Sequence, residues 1–456
     1  MNNKIIVGIT MKKSTLSKII FTFMIAIQFI LASLSFSDDS NTQRSDYTIP
    51  DDLPPVSEGK NGFSVEQSRN YRQSYQGDTM LTAGGDGSYA ASRLSENLST
   101  AIVHRYGQVA GFEYSLMPEI GDVEATTILG TMTLNEMMTD ERSRFKAIAV
   151  VHKGKIVFEK YLGIRDWDNH LWASATKILV GTLAHIISEE GLLDLNAPIS
   201  KYVPELNGTA WANIKIADAL HQRSGLDISE SRLGSSPDHP GSLFYSIGFG
   251  DPSLSGELSL MDALKKVEVS VKPGEKFEYA SLNTYVVTLA LESVTGKPFE
   301  DLVTEYIWSQ AGMEGDGVLG LTEGGEPSSP GAFAARLRDL ARFGTLFTPS
   351  WDSIAEHQVI SENYLELVQN AVKPEVYGED YMSQRLIKDF GEDGFGASYQ
   401  WDAVFPDGDL YKSGRTGQCL YVSPETDTVV VYYSSSYKAE VWVHAYAREI
   451  VKQLFR

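Results

Sequence analysis

The sequence contains a single cysteine, Cys419, among 456 residues. This excludes an intrachain disulfide and any zinc or iron–sulfur site built from several cysteines. The eight histidines are scattered and form no His-Glu-x-x-His motif, so we predict no bound metal and no other cofactor. An excess of positive charge is also lacking, because 39 Lys and Arg stand against 60 Asp and Glu, a net charge of −21. Nucleic acid is therefore excluded as a partner, since phosphate binding needs clustered bases.

The overall composition is that of a globular protein with ample material for a core. Apolar residues make up 42% of the chain, charged residues 22% and aromatic residues 11%, which argues against disordered and fibrous classes. The length suits one large domain or two closely packed lobes.

The N-terminus has the pattern of a secretory signal. Residues 1–18 carry four lysines and no acid, residues 19–34 are an apolar run, and small residues follow up to position 37. We predict a signal peptide over 1–37 and a secreted or periplasmic bacterial protein. An uncleaved membrane anchor is the alternative, because the run approaches spanning length. After cleavage we expect no stable membrane partner, and the oligomeric state stays open.

The remaining chain divides into three parts by composition. Residues 38–62 are polar and proline-rich and are typical of a linker. Residues 63–140 carry no recognisable motif, and we interpret them as an N-terminal extension that packs on the catalytic body. Residues 141–456 are the predicted catalytic domain.

Strand patterns occur at both ends of this domain. Residues 147–163 (AIAVVHKGKIVFEKYLG) predict a hairpin, and three further strands are predicted at Gly408–Lys412, Gln418–Ser423 and Thr428–Ser434, followed by an amphipathic helix. The region between them is mostly helical in pattern. We therefore predict an α+β fold, with an antiparallel sheet built from both ends of the catalytic region, flanking helices and an inserted, mostly helical lobe.

Ser-x-x-Lys occurs four times, starting at Ser57, Ser143, Ser174 and Ser435. Only Ser174 and Lys177 open a strongly amphipathic helix, where this spacing places both side chains on one face. The helix N-terminus suits a developing oxyanion, and a desolvated lysine can help to activate a serine hydroxyl. Taken alone, the motif fits equally well a serine cap followed by a solvated lysine.

Two further segments carry polar groups suited to the same chemistry. Pro273-Gly precedes an extended stretch that ends at Tyr279, whose hydroxyl could relay protons, although a packed core tyrosine is the plainer interpretation. Lys412-Ser413-Gly414 would present a cation, a hydroxyl and backbone N–H groups along a cleft, with the glycine letting substrate approach the backbone. A strand corner with an exposed lysine is the alternative there.

The order Ser-x-x-Lys, Tyr-x-Ser, Lys-Ser-Gly resembles the signature of the penicillin-recognising serine hydrolases. The sequence around these motifs is similar to the class C β-lactamase-related branch, especially its esterases, D-aminopeptidases and aminohexanoate-oligomer hydrolases. The similar segments are LHQRSGLD, KPGEKFEYASLNTY, RLRDLARFG and KSGRTGQ. The resemblance runs from about Phe145 to the C-terminus. It implies a β-lactamase/transpeptidase-like fold and a serine hydrolase that acts on a small-molecule ester or amide.

Residue roles follow from this resemblance. It implies that Ser174 is acylated with help from Lys177, that Tyr279 is general base and later proton donor, and that Lys412 keeps the phenol acidic. The backbone N–H groups of Ser174 and Arg415 would form the oxyanion hole. Ser281, Ser413, Gly414 and Arg415 would contact substrate. Whether Lys177 or Tyr279 takes the serine proton stays open.

One departure from the family's motifs narrows the range of expected activities. The second motif has Ser281 where β-lactamases of this branch usually carry asparagine, which argues against dedicated β-lactamase activity. A cell-wall D-amino-acid peptidase, a weak β-lactamase and a non-catalytic binding homologue remain alternatives.

Five other residues receive structural interpretations. Asp339 and Arg342 are expected to form a helix-surface ion pair. Tyr399 and Trp401 fit either the core or the cleft wall, and Cys419 is expected to be buried and not nucleophilic.

Overall fold

The computed structural model describes residues 47–77, 79–81, 85–233, 235–250, 258–436 and 444–456. The predicted signal peptide, residues 1–37, lies outside the described residues, so secretion stays a prediction. Among the helices that are described, none combines the length and apolar character required to cross a bilayer.

Strands and helices alternate irregularly along the described chain. The strands are β1 (Ser99–Val103), β2 (Glu113–Tyr114), β3 (Glu124–Thr127), β4 (Gly130–Thr133), β5 (Phe145–His152), β6 (Lys155–Tyr161), β7 (His170–Leu171), β8 (Gly317–Leu321), β9 (Phe333–Ala335), β10 (Gly396–Ser398), β11 (Trp401–Val404), β12 (Leu410–Gly414), β13 (Gln418–Ser423) and β14 (Thr428–Ser434). The α-helices are α1 (Glu58–Asn61), α2 (Val65–Ser74), α3 (Gly85–Ala91), α4 (Leu134–Thr139), α5 (Lys177–Glu189), α6 (Ile216–Leu220), α7 (Pro240–Gly248), α8 (Leu260–Lys265), α9 (Ser281–Thr295), α10 (Phe299–Val303), α11 (Leu337–Thr345), α12 (Tyr364–Asn370), α13 (Tyr381–Phe390) and α14 (His444–Leu454).

The main sheet is built from both ends of the catalytic region, as predicted. Its strand order is β10-β11-β12-β13-β14-β5-β6-β2. The N-terminal hairpin joins the C-terminal strands where β5 pairs antiparallel with β14, Val150 lying opposite Val430. The α+β prediction is thereby confirmed, and the helical lobe is inserted between β7 and β10.

Side chains of β5 and β14 alternate between two hydrophobic cores, because successive residues of a strand point to opposite faces. Ala149 and Val431 face the core shared with the helical lobe, whereas Val150 and Val430 face the core under α14. Helix α11 packs against β5, β13 and β14 on the lobe side. Gly344 permits this close packing, since a Cβ there would lie 2.6 Å from Cγ1 of Val429.

The extension of residues 63–140 is spread around the catalytic body. Strand β1 pairs antiparallel with β8 in a second sheet of order β1-β8-β9-β7, and the β3–β4 hairpin contacts α14. Part of the predicted linker also lies against the body: Arg144 Nη2 donates to the Pro54 carbonyl at 2.7 Å, and Lys60 Nζ to that of Tyr161 at 2.7 Å.

The predicted ion pair between Asp339 and Arg342 is present, with Nη1 3.3 Å from Oδ1, but its predicted location on the helix surface is wrong. Both side chains are fully buried, and burial raises the pKa of Asp339 to about 6. Asp339 accepts the backbone N–H groups of Glu314 and Gly315 at 2.7 and 3.0 Å. Arg342 donates to the Ala110 carbonyl at 2.6 Å, so the extension covers the helix face that the spacing alone placed in solvent.

Tyr399 and Trp401 belong to the core, where both are buried and the Trp401 indole N–H donates to the Tyr364 hydroxyl at 3.0 Å. Cys419 is free and buried as predicted, and burial raises its thiol pKa well above the ordinary value.

The buried position of Asp339 predicts a large stability effect. Asp339→Ala should lower the free energy of unfolding by about 3–5 kcal/mol, because it leaves the Arg342 guanidinium buried with a partner removed. The control is Lys297→Ala, which breaks an exposed pair with Glu305 and should cost less than about 1 kcal/mol. Urea unfolding measures the free energy of unfolding of both variants. If both substitutions cost equally little, the Asp339–Arg342 pair would behave as an exposed ion pair, which would contradict its buried position.

Candidate functional site

Ser174 lies in a single 3₁₀ turn, Ala173–Thr176, and α5 begins only at Lys177. The sequence analysis placed Ser174 at the start of the α-helix. The preceding residue, Ala173, has φ of 46°, a left-handed conformation that costs a residue with a Cβ about 1–2 kcal/mol. The Trp172 N–H holds this segment by donating to the Phe333 carbonyl at 2.7 Å. The packing thus presents Ser174 on a strained turn.

Lys177 is buried beside Ser174. Its Nζ lies 3.0 Å from Ser174 Oγ and donates to the Pro330 carbonyl at 2.9 Å. Burial, assisted by the positive charge of Lys412 and opposed by Glu230, lowers the pKa of Lys177 to about 7. An uncharged amine beside the hydroxyl is therefore well populated near neutral pH.

Tyr279 is buried against the same group of side chains. A side-chain hydrogen bond joins it to Ser174, Lys412 Nζ donates to its hydroxyl at 3.1 Å, and Lys177 Nζ lies 5.2 Å from its ring centroid. The pKa of Tyr279 is nevertheless raised well above its ordinary value, by burial first and then by the charges of Asp402 and Glu230. The expectation that Lys412 keeps this phenol acidic is therefore not met.

Asp402 explains why Lys412 fails to acidify the phenol. It forms a buried ion pair with Lys412, so its negative charge offsets the field of the ammonium at Tyr279. Ser413, predicted to contact substrate, instead donates its hydroxyl to Asp402 Oδ2 at 2.6 Å and its N–H at 2.9 Å. Ser413 therefore positions the Asp402 carboxylate, which in turn forms the ion pair with Lys412.

Gly414 is required because the backbone at Trp172 leaves no room for a side chain at this position. A Cβ at this position would lie 2.2 Å from the carbonyl oxygen of Trp172, two residues before Ser174. The close approach at Gly414 is made by the segment that leads to Ser174. A glycine here lets β12 and its lysine reach the serine turn.

Ser281 is tied to a carboxylate that the sequence analysis did not single out. Its hydroxyl and its N–H donate to Glu230 Oε1 at 2.6 and 2.8 Å. Tyr245 donates its hydroxyl to the other oxygen of Glu230 at 2.8 Å. Since burial and Glu230 raise the pKa of Tyr245 well above its ordinary value, this phenol stays a hydrogen-bond donor.

A cavity opens directly beside Ser174. Its wall includes Ser281 and the exposed Arg415, together with Tyr245, Phe244 and Phe249. Arg415 follows Gly414, whose pairing with Gln418 is the last of the β12–β13 ladder. Of the predicted substrate contacts, Ser281 and Arg415 therefore line the cavity.

A second Ser-x-x-Lys pair shows that burial alone does not identify a site. Ser143 and Lys146 are both buried, and desolvation lowers the pKa of Lys146 to about 7. However, Lys146 Nζ lies 3.1 Å from His170 Nε2, whereas Lys177 contacts the serine of its own motif.

The arrangement suits acyl transfer, since a serine hydroxyl touches an amine of lowered pKa and a phenol beside an ammonium group. Within the described ranges, no group of three or more His, Cys, Asp or Glu side chains is placed to hold a metal ion.

Sequence reasoning missed Glu230, Tyr245, Asp402 and the Pro330 carbonyl. Asp402 follows directly on the Tyr399–Trp401 stretch that was considered for its aromatics. No spacing marked these carboxylates among the 60 acidic residues of the chain.

Comparison with known proteins places the chain in a family. The Beta-lactamase family profile matches residues 133–452. The 6-aminohexanoate-dimer hydrolase of Paenarthrobacter ureafaciens is 26% identical over 357 residues, which cover 76% of this chain and 85% of that protein.

Solved structures show the same fold. A Bacillus anthracis protein provisionally assigned as a 6-aminohexanoate-dimer hydrolase has a TM-score of 0.69 at 21% identity, covering 84% of this chain and 96% of its own. EstCE1, a hydrolase with promiscuous acyltransferase activity, has a TM-score of 0.51 at 17% identity, covering 70% and 96%.

The chain thus has a β-lactamase/transpeptidase-like fold. It belongs to the beta-lactamase family and is a serine hydrolase of that type.

Proposed function

We propose that this protein hydrolyses a small-molecule ester or amide through a covalent acyl-enzyme on Ser174. The observation that carries the proposal is the 3.0 Å contact between Lys177 Nζ and Ser174 Oγ. A relative named as a hydrolase of 6-aminohexanoate dimer supports including short amides among the substrates.

In the proposed acylation step, neutral Lys177 accepts the hydroxyl proton as Ser174 Oγ attacks the carbonyl carbon. Backbone N–H groups of Ser174 and Arg415 face the developing oxyanion. The tetrahedral intermediate then collapses, and the proton held by Lys177 reaches the leaving group through the Tyr279 hydroxyl. Water subsequently attacks the acyl-enzyme along the same proton path, which regenerates Ser174.

This proposal assigns Lys177, rather than Tyr279, as the acylation base. A group with a pKa of about 7 supplies its basic form at neutral pH. The buried phenol, with its raised pKa, keeps its proton there. Tyr279 is better suited to donate that proton than to accept one.

Covalent labelling tests the nucleophile. A fluorophosphonate probe should label the full-length protein, and Ser174→Ala should abolish the labelling while the circular dichroism spectrum is retained. The matched control is Ser57→Ala, which changes the exposed serine of another Ser-x-x-Lys motif and should leave labelling intact.

Persistent labelling in Ser174→Ala would remove Ser174 from its role. Absence of labelling and of ester, amide and nitrocefin turnover in the unaltered protein would favour a non-catalytic binding homologue. Faster turnover of nitrocefin or D-Ala-D-Ala peptides than of simple esters and amides would favour the β-lactamase or peptidase alternative.

The pH dependence of kcat/KM tests the base. With an ester substrate, kcat/KM should rise as the pH increases through about 7, because only the neutral amine accepts the serine proton. Tyr279→Phe should keep this limb while lowering kcat about a hundredfold or more. Lys177→Arg should lose both the limb and most activity, because a guanidinium stays protonated. A rise only above pH 10 would identify Tyr279 as the base.

A further inference from the structure

The cavity beside Ser174 is small and its walls are largely apolar. Phe244, Phe249 and Gly331 contribute to it, and its volume is about 30 Å³. One water molecule needs roughly 10–15 Å³ on this measure. The cavity therefore holds a substituent of about two to three heavy atoms.

The position of the proton-carrying groups indicates which part of a substrate enters this cavity. Ser174 and Arg415 are in its wall, whereas Lys177 and Tyr279 are not among its described lining residues. The leaving group must collect a proton and so departs toward Lys177 and Tyr279. The acyl group, which stays bonded to Ser174 Oγ, then occupies the apolar cavity.

Phe249 forms a wall of the cavity and lies between Tyr245 and a small apolar cluster of which it is a member. Its ring stacks on Tyr245, with centroids 5.6 Å apart and an interplanar angle of 27°. It also belongs to a small apolar cluster with Met80, Leu94 and Ala173. Met80 is almost completely buried.

Met80 and Leu94 come from the N-terminal extension. This segment precedes the family match, which begins at residue 133. The part of the chain outside the matched region therefore contributes to the apolar cluster that contains a wall residue of the cavity beside Ser174.

We infer that Phe249, which shares an apolar cluster with Met80 of the extension, restricts the acyl group to short chains of about two to four carbons. This inference rests on the proposed function and adds to it the size of the acyl group. It also assigns the N-terminal extension a role in specificity.

A chain-length series tests the inference. The measured quantity is the kcat/KM for p-nitrophenyl octanoate divided by that for p-nitrophenyl acetate, in the full-length protein. The unaltered protein should favour acetate by about tenfold or more. Phe249→Ala should raise the octanoate-to-acetate ratio about tenfold, because it removes the wall.

Gly331→Ala provides a change in the opposite direction. A Cβ at residue 331 would lie 3.5 Å from Cζ of Phe249 and 4.0 Å from the backbone carbon of Ala173. These are ordinary contact distances, so the methyl fits and fills space in the cavity. The butyrate-to-acetate ratio should fall about fivefold or more.

Met80→Ala tests the extension and should raise the octanoate-to-acetate ratio in the direction of Phe249→Ala. The matched control is Met137→Ala, which truncates a fully buried methionine of the same extension in the other core. It should leave the ratio unchanged. If Met80→Ala does not fold, Met80→Leu replaces it. The octanoate-to-acetate ratio of Met80→Leu should then differ from the ratio of the unaltered protein.

The outcomes separate the two proposals. Ester turnover that depends on Ser174, with the same ratio in every variant, overturns the inference and leaves the proposed function standing. A change in preference for the alcohol chain instead of the acyl chain overturns the acyl assignment. A Met80 variant that behaves like Met137→Ala overturns the role of the extension. Absence of all acyl turnover and labelling overturns the proposed function, and the inference with it.

Discussion

The site depends on how two buried lysines are treated differently by their surroundings. Lys412 shares its burial with Asp402, so a carboxylate supports its charge. Lys177 receives a serine hydroxyl and a carbonyl oxygen as hydrogen-bond partners. Because desolvation penalises a charge without a nearby counterion most strongly, Lys177 becomes the amine that loses its proton easily. In the proposed mechanism, Lys412 holds charge and Lys177 exchanges protons.

The fold brings these groups together through a few close backbone approaches. The serine turn follows β7 of the smaller sheet, whereas Lys412 is on β12 of the main sheet. Gly414 removes the side chain that would separate these two segments. The carboxylates Glu230 and Asp402 then fix the neighbouring hydroxyl and ammonium groups. Positioning in this site is therefore shared between glycine packing and buried acids.

Much of this arrangement was predictable from local sequence patterns. Alternating apolar residues identified β5 and β14, and the ordered motifs identified Ser174, Lys177, Tyr279 and Lys412, which the structure brings into one group. Local patterns could not supply Asp402 or Glu230, because a single acidic residue has no period or spacing that marks it. They also misplaced Asp339, since helical spacing shows which residues share a face but not what covers that face. Ser413 and Gly414 were singled out, but no local pattern marked their partners, which are Asp402 on the neighbouring strand and Trp172 far away in the chain.

The central claim is that Lys177 is the readily deprotonated amine of the site. Lysine side-chain NMR of the full-length protein, with ¹³C at the ε-carbon and the Lys177 signal assigned by its loss in Lys177→Arg, measures this directly. We expect this signal to titrate near pH 7. A Lys177 signal that titrates near the ordinary lysine value of about 10.4 would contradict it.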